Sequence, residues 1–177
     1  MQLSEEIKDT IRDIPDYPKK GINFKDITPI LAKPRLVHAI IDQLVKDFTP
    51  LKIDAVAGTE ARGFILAPIL AYEMNCSFVP VRKKGKLPYK SVSQEYTLEY
   101  GSASIEMHID AIEPGSRVLV HDDLLATGGT AGATAELVRR LGGEVVAFSF
   151  LVNLTFLQGE KNLIERFGIK PHYLVSY

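Results

Sequence analysis

The chain alternates short, almost wholly apolar runs with stretches whose apolar residues recur every three or four positions. The apolar runs are IDAVAG from Ile53, SFVPVR from Ser77, RVLVHD from Arg117, EVVAFSFLV from Glu144 and PHYLVSY from Pro171. Each is short and rich in branched residues, as buried strands are. Between them, GFILAPILAYEM from Gly63, GTAGATAELVRRLGG from Gly129 and KNLIERF from Lys161 read as helices. Pro68 counts against the first, and Gly142-Gly143 stops the second. Upstream, PRLVHAIIDQLVKDF from Pro34 carries the clearest helical stripe: Leu36, Val37, Ile40, Ile41, Leu44, Val45 and Phe48. Its proline suits a first turn. Leu3, Ile7, Ile11 and Ile14 share the same spacing and predict a short helix with Ser4 as N-cap.

Apolar strands alternating with helices predict an α/β fold: a mainly parallel twisted sheet flanked by helices on both faces. A single domain over residues 1–177 is expected. Two stretches fall outside the alternation, about 1–33 and 83–100. The first is punctuated by Pro15, Pro18, Gly21 and Pro29. In the second, residues 83–95 lack a period and read as a flexible loop or a long hairpin, while TLEYG and SASIEMHI alternate like strands. Together these stretches are expected to form a small hood.

Composition narrows the classes of function. Of 177 residues, 46% are apolar and 24% charged, which is ordinary for a soluble globular chain of one domain. A net charge of −1 gives no bulk attraction to nucleic acid or to a membrane. The lone cysteine, Cys76, supports no internal disulfide and fits a reducing cytoplasm. The opening MQLSEEIKDT is polar and acidic, unlike a signal peptide. No apolar run approaches the roughly 20 residues that span a bilayer.

The candidate chemistry lies in RVLVHDDLLATGGTAGA, residues 117–133. A buried strand ends at Asp122 and Asp123, and a loop of small residues, Ala126, Thr127, Gly128, Gly129 and Thr130, feeds a helix. Ligands of open α/β sheets bind beyond the carboxyl ends of strands. Glycine lets other atoms approach the backbone. The loop N–H groups and the helix N-terminus form a cradle for a phosphate, to which Thr127 and Thr130 add hydroxyls. The acids would repel a phosphate. They suit sugar hydroxyls, or magnesium held through water. Without its context, the same acid and glycine pair is equally well read as a capped strand-to-helix turn. Neither a Walker loop nor a G-x-G-x-x-G string is present.

The full string resembles the signature of the type I phosphoribosyltransferases: four apolar residues, two acids, then a Thr/Gly-rich loop for the 5′-phosphate of phosphoribosyl pyrophosphate. His121 stands where an apolar residue is usual, a departure that matters little if its side chain faces a polar edge. Three further strings, NFKDITP from Asn23, AGTEARGF from Ala57, and RKKGKLP from Arg82 together with YTLEYG ending at Gly101, are similar to the adenine phosphoribosyltransferase family over nearly the whole chain. That resemblance implies formation of AMP and pyrophosphate from adenine and phosphoribosyl pyrophosphate, with Mg2+, in a homodimer. No nucleic acid or membrane partner is implied.

The resemblance also implies roles for single residues. Arg62 would grip pyrophosphate through paired hydrogen bonds, and Glu60-Ala61 would carry a cis peptide. Arg82 and Lys86 belong to a basic loop closing over pyrophosphate, with Arg82 reaching the neighbouring subunit. Phe24 would stack on adenine, with backbone contacts from Asn23 and Lys25. Glu99 is the candidate proton acceptor, and Tyr100 packs or lines the site. Read alone, these residues are a surface salt bridge, a solvated loop, a core phenylalanine and a strand carboxylate. Hypoxanthine and guanine phosphoribosyltransferases carry an aspartate base where this chain has Ala126. The NFKDITP and TLEYG strings do not fit the orotate enzymes. A purine-sensing regulator would need a DNA-binding element, which the sequence does not display.

Overall fold

The computed structural model describes residues 2–97 and 102–177, which fall into two compact units, 1–46 and 47–177. Glu99 and Tyr100 lie outside the described residues.

The N-terminal unit opens with α1 (Leu3–Thr10), closed at its start by a capping box between Gln2 and Glu5 rather than by Ser4. The helix is shorter than its apolar spacing predicts. Ile11 is already extended, and β1 (Arg12–Pro15) pairs antiparallel with β2 (Asn23–Asp26), setting Ile14 opposite Phe24. The cause is Pro15: a residue before proline is driven from helical to extended backbone. A short α2 (Thr28–Leu31) follows, and α3 (Pro34–Phe48) takes up the whole predicted stripe.

The second unit runs β3 (Ala55–Thr59), α4 (Gly63–Glu73), β4 (Ser77–Lys83), β5 (Ser91–Thr97), β6 (Ser102–His108), β7 (Arg117–Leu125), α5 (Gly129–Arg140), β8 (Glu144–Asn153), α6 (Gly159–Phe167) and β9 (His172–Ser176). One sheet holds them in the order β5-β6-β4-β3-β7-β8-β9. The five strands β4, β3, β7, β8 and β9 are parallel, and β6 and β5 extend the sheet antiparallel. Pro68 stands inside α4 without ending it. That helix is apolar on every side and packs on β3, β4 and β7, so burial outweighs one lost backbone bond.

Half of the stretch expected to be a loop is strand. Residues 91–97 pair with β6, leaving only 84–90 as the connection from β4. Val92 and Tyr96 pack on the core, but Gln94 stands between them on the same face, where it accepts a hydrogen bond from Arg140 of α5, and it breaks the apolar alternation.

Ala55 and Ala57 of β3 and Val118 and Val120 of β7 meet Ala131, Ala135 and Val138 of α5 in one buried cluster. By strand alternation Leu119 and His121 point to the opposite face. The chain steps from β3 to β4 on one side and later from β7 to β8 on the other. The strand order therefore reverses between β3 and β7, and a crevice opens at their carboxyl ends.

Candidate active site

Pairing between β3 and β7 stops at Gly58 and His121, whereas pairing of β7 with β8 continues to Leu125. From Asp122 onward β7 has lost its neighbour on the β3 side. The chain leaving β3 turns into that space as Glu60, Ala61, Arg62 and Gly63, with the Glu60-Ala61 peptide cis. The Arg62 Nε lies 3.0 Å from Asp123 Oδ2. Asp122 Oδ1 accepts the Asp123 N–H at 2.9 Å. A Cβ on Gly63 would stand 3.0 Å from Asp122 Oδ1, from the His121 carbonyl and from Thr59 Oγ1, so the α4 terminus reaches the acid only as glycine.

Asp123 is only 3% exposed, so the second acid does not stand open to solvent at the end of the strand. The strand runs past both acids, and Arg62 covers the second. His121 does not face a polar edge either. It is fully buried, with Nδ1 3.1 Å from Ser149 Oγ on β8.

Burial, and after it the charge of Asp123, pushes the Asp122 carboxyl from 3.8 up to about 8. Burial raises Asp123 too, against the pull of Arg62. Near neutral pH Asp122 thus keeps a proton while Asp123 pairs with the guanidinium. An acid whose folded pKa exceeds its unfolded value stabilises the fold less as pH rises between the two, here from 3.8 to about 8. Thermal melts of the empty protein across that window are expected to show the wild type losing ground to Asp122→Asn as pH rises. A constant difference between the two would exclude the retained proton.

The strand-to-helix turn falls where the sequence places it, between β7 and α5. Gly128 has φ +80° and caps α5, whose first N–H groups have no partner within the helix. A Cβ on Gly128 would lie 3.2 Å from both the Gly159 carbonyl and Leu163 Cγ. Asn162 Nδ2 donates to the Thr127 carbonyl at 2.9 Å. A cleft of about 500 Å³ lies against this loop, lined among others by Tyr96, Thr127, Gly129, Asn162 and Arg166. Gly159 and Asn162 carry no signal in the sequence beyond a short helix.

The basic loop is tied down rather than loosely held. Arg82 Nε lies 3.2 Å from Glu60 Oε2, and the same carboxylate accepts the Lys83 N–H at 3.1 Å. Hydrogen bonding from Arg82 holds the Glu60 carboxyl below its ordinary range. Arg82 Nη1 also donates to the Lys86 carbonyl at 2.9 Å. The buried Glu106 of β6 accepts the N–H groups of Lys86 at 2.9 Å and Leu87 at 2.8 Å. Burial pushes Glu106 up, but these amides, Gly85 and the Ser91 hydroxyl outweigh it, and the carboxyl stays low. Glu106 was legible only as one polar residue in an alternating strand.

In the N-terminal unit, Asn23, Phe24 and Lys25 lie side by side on β2. Phe24 is half-buried, edge-on to Tyr17 at 5.2 Å between ring centroids. The Lys25 ammonium binds the Asp13 carboxylate across the hairpin.

The phosphoribosyl transferase domain family matches residues 24–165. An adenine phosphoribosyltransferase of Dinoroseobacter shibae is 52% identical over 171 residues, 97% of this chain and 95% of that one. The crystal structure of adenine phosphoribosyltransferase from Rhodothermus marinus, 52% identical, matches with a TM-score of 0.93 over 99% of this chain and 98% of that one. The Saccharomyces cerevisiae enzyme, crystallised with an imino-altritol bisphosphate and adenine, is 38% identical, with a TM-score of 0.89 over 97% and 98%. An acid pair and a glycine-rich strand-to-helix loop at a switch point thus coincide with similarity over nearly the whole chain, and the chain belongs to the phosphoribosyl transferase family and, within it, to the adenine phosphoribosyltransferases.

Proposed function

We propose that this chain makes AMP and pyrophosphate from adenine and phosphoribosyl pyrophosphate, as a purine salvage enzyme, at the carboxyl end of β7. One observation carries the reading: a single strand–helix unit offers Asp122 and Asp123 beside an anion cradle, with Arg62 brought in across the switch point. The cradle of Ala126, Thr127, Gly128, Gly129 and Thr130 takes the 5′-phosphate, and the two acids accept hydrogen bonds from the ribose hydroxyls.

Two hard carboxylate donors at one strand end fit magnesium held mainly through substrate oxygens and water. When bound, that ion neutralises charge on the pyrophosphate. As the bond to pyrophosphate breaks, positive charge grows on the sugar and negative charge on the leaving group. Asp122 and Asp123 favour the first and Arg62 the second, both more strongly in the transition state than before it. Phe24 stacks on adenine, with backbone contacts from Asn23 and Lys25, and Glu99 accepts its imidazole proton. Arg82 and Lys86 meet the pyrophosphate, Arg82 from a neighbouring subunit of a homodimer. A cytoplasmic setting suits these substrates, and among the described residues no helix is long and apolar enough to cross a membrane.

The test supplies phosphoribosyl pyrophosphate, magnesium and each common purine, and measures the nucleotide formed. Adenine is expected to be strongly preferred, because Ala126 cannot accept a proton where the other purine enzymes carry an acid. Comparable turnover of hypoxanthine or guanine would overturn the assignment, as would binding of DNA without any turnover.

A further inference from the structure

We infer that Asn162, on α6, is a positioning residue for the phosphate cradle: by holding the Thr127 carbonyl it aims the Gly128 N–H at the 5′-phosphate. The inference rests on reading the loop as the phosphate site.

The geometry is that of one peptide unit. Asn162 Nδ2 donates to the Thr127 carbonyl at 2.9 Å. In a trans peptide the carbonyl and the following N–H point in opposite directions. A carbonyl held toward α6 therefore turns the Gly128 N–H to the other side of the loop, into the cradle. The Asn162 amide is the group that ties this carbonyl to α6. Gly128 has φ +80°, and glycine occupies the mirror-image region as readily. The unit between residues 127 and 128 can thus turn over at little cost. Glycine is nonetheless required, since a side chain would press on the Gly159 carbonyl and Leu163. Close packing against α6 demands the residue that leaves the peptide free, and a side chain of α6 removes that freedom.

The anchor is itself fixed. Glu160, two residues before Asn162, accepts the Tyr173 hydroxyl of β9 at 3.1 Å. Asn162 is exposed on a helix, where alanine is the better helix former. A purely structural role therefore predicts that its removal does little harm.

The experiment compares AMP with adenosine, which lacks the phosphate, by calorimetry on wild type and Asn162→Ala. The variant is expected to bind AMP about 10-fold more weakly, the worth of one hydrogen bond to a charged group, with adenosine binding and melting temperature unchanged. In turnover, KM for phosphoribosyl pyrophosphate rises by a similar factor while KM for adenine holds. An Asn162→Ala protein that keeps the wild-type ratio of AMP to adenosine affinity overturns the role of Asn162. A wild type that does not favour AMP over adenosine overturns the phosphate reading itself, and with it the inference.

Discussion

Replacing Asp122 and Asp123 together by asparagine is expected to lower AMP formation by about 10²-fold or more, because both are carboxylates once the sugar and its ion are bound, Asp122 giving up its proton, and each then loses charge-assisted hydrogen bonds worth about 1.5–3 kcal/mol apiece. The amide keeps the shape but not the charge. Since the sugar becomes positive as pyrophosphate departs, the loss falls on kcat as well as on KM. The fold is expected to survive. Burial pushes the Asp122 carboxyl up to about 8, so near neutral pH and without substrate its amide is close to an isostere of the protonated form. Arg62 loses an ionic partner, but its side chain is 35% exposed and water can take up part of the debt. Steady-state rates beside thermal melts decide the matter. Wild-type turnover in the double variant would remove the acids from the ribose.

Gly159→Ala has the next largest expected effect, with a sign opposite to helix propensity. Alanine is normally the better residue in a helix by about 1 kcal/mol. Here its Cβ would stand 2.3 Å from the Ala126 carbonyl oxygen and 2.8 Å from Leu125 Cδ1. The first is a backbone atom and the second the end of a packed side chain. Leu125 is a core residue, and its carbonyl accepts the Leu154 N–H at 2.9 Å. Either α6 or the cradle must therefore shift. Overpacking of this kind costs about 1–3 kcal/mol, and misplacing binding groups by about 1 Å can cost 10²-fold in rate. We expect a lowered melting temperature and a fall of about 10²-fold in kcat/KM for phosphoribosyl pyrophosphate. Unchanged kinetics with that substrate would show that α6 does not seat the cradle.

Both predictions join a feature plain in the sequence to one that was hidden there. The parallel sheet, α3, α5 and the acid-to-glycine string are local patterns, and local periodicity finds them. The β1–β2 hairpin was obscured because Ile11 and Ile14 fit a helical stripe equally well until Pro15 decides between them. β5 was obscured because Gln94 interrupts the apolar face between Val92 and Tyr96. The burial of Asp123 depends on Arg62, about sixty positions earlier in the chain, and no spacing rule reaches that far. Asn162 meets Thr127 from 35 residues away, and Glu106 meets the basic loop from 20 and 19. Such residues support the site from behind, and their types are ordinary for the elements they occupy.

His121 gives the strand end a second consequence, one of chemical climate. Burial drives its imidazole from 6.5 down to about 3, so the folded chain refuses a proton that the unfolded chain accepts. Stability therefore drains away as pH falls from 6.5 toward 3, while at the next residue Asp122 drains it as pH rises toward 8. Two neighbours on one strand squeeze the fold from the acid and the alkaline side. The two margins are not equally open to adaptation. A valine in place of His121 would extend acid tolerance without touching an atom assigned to a ligand. Extending the alkaline margin at Asp122 would sacrifice the group assigned to the ribose.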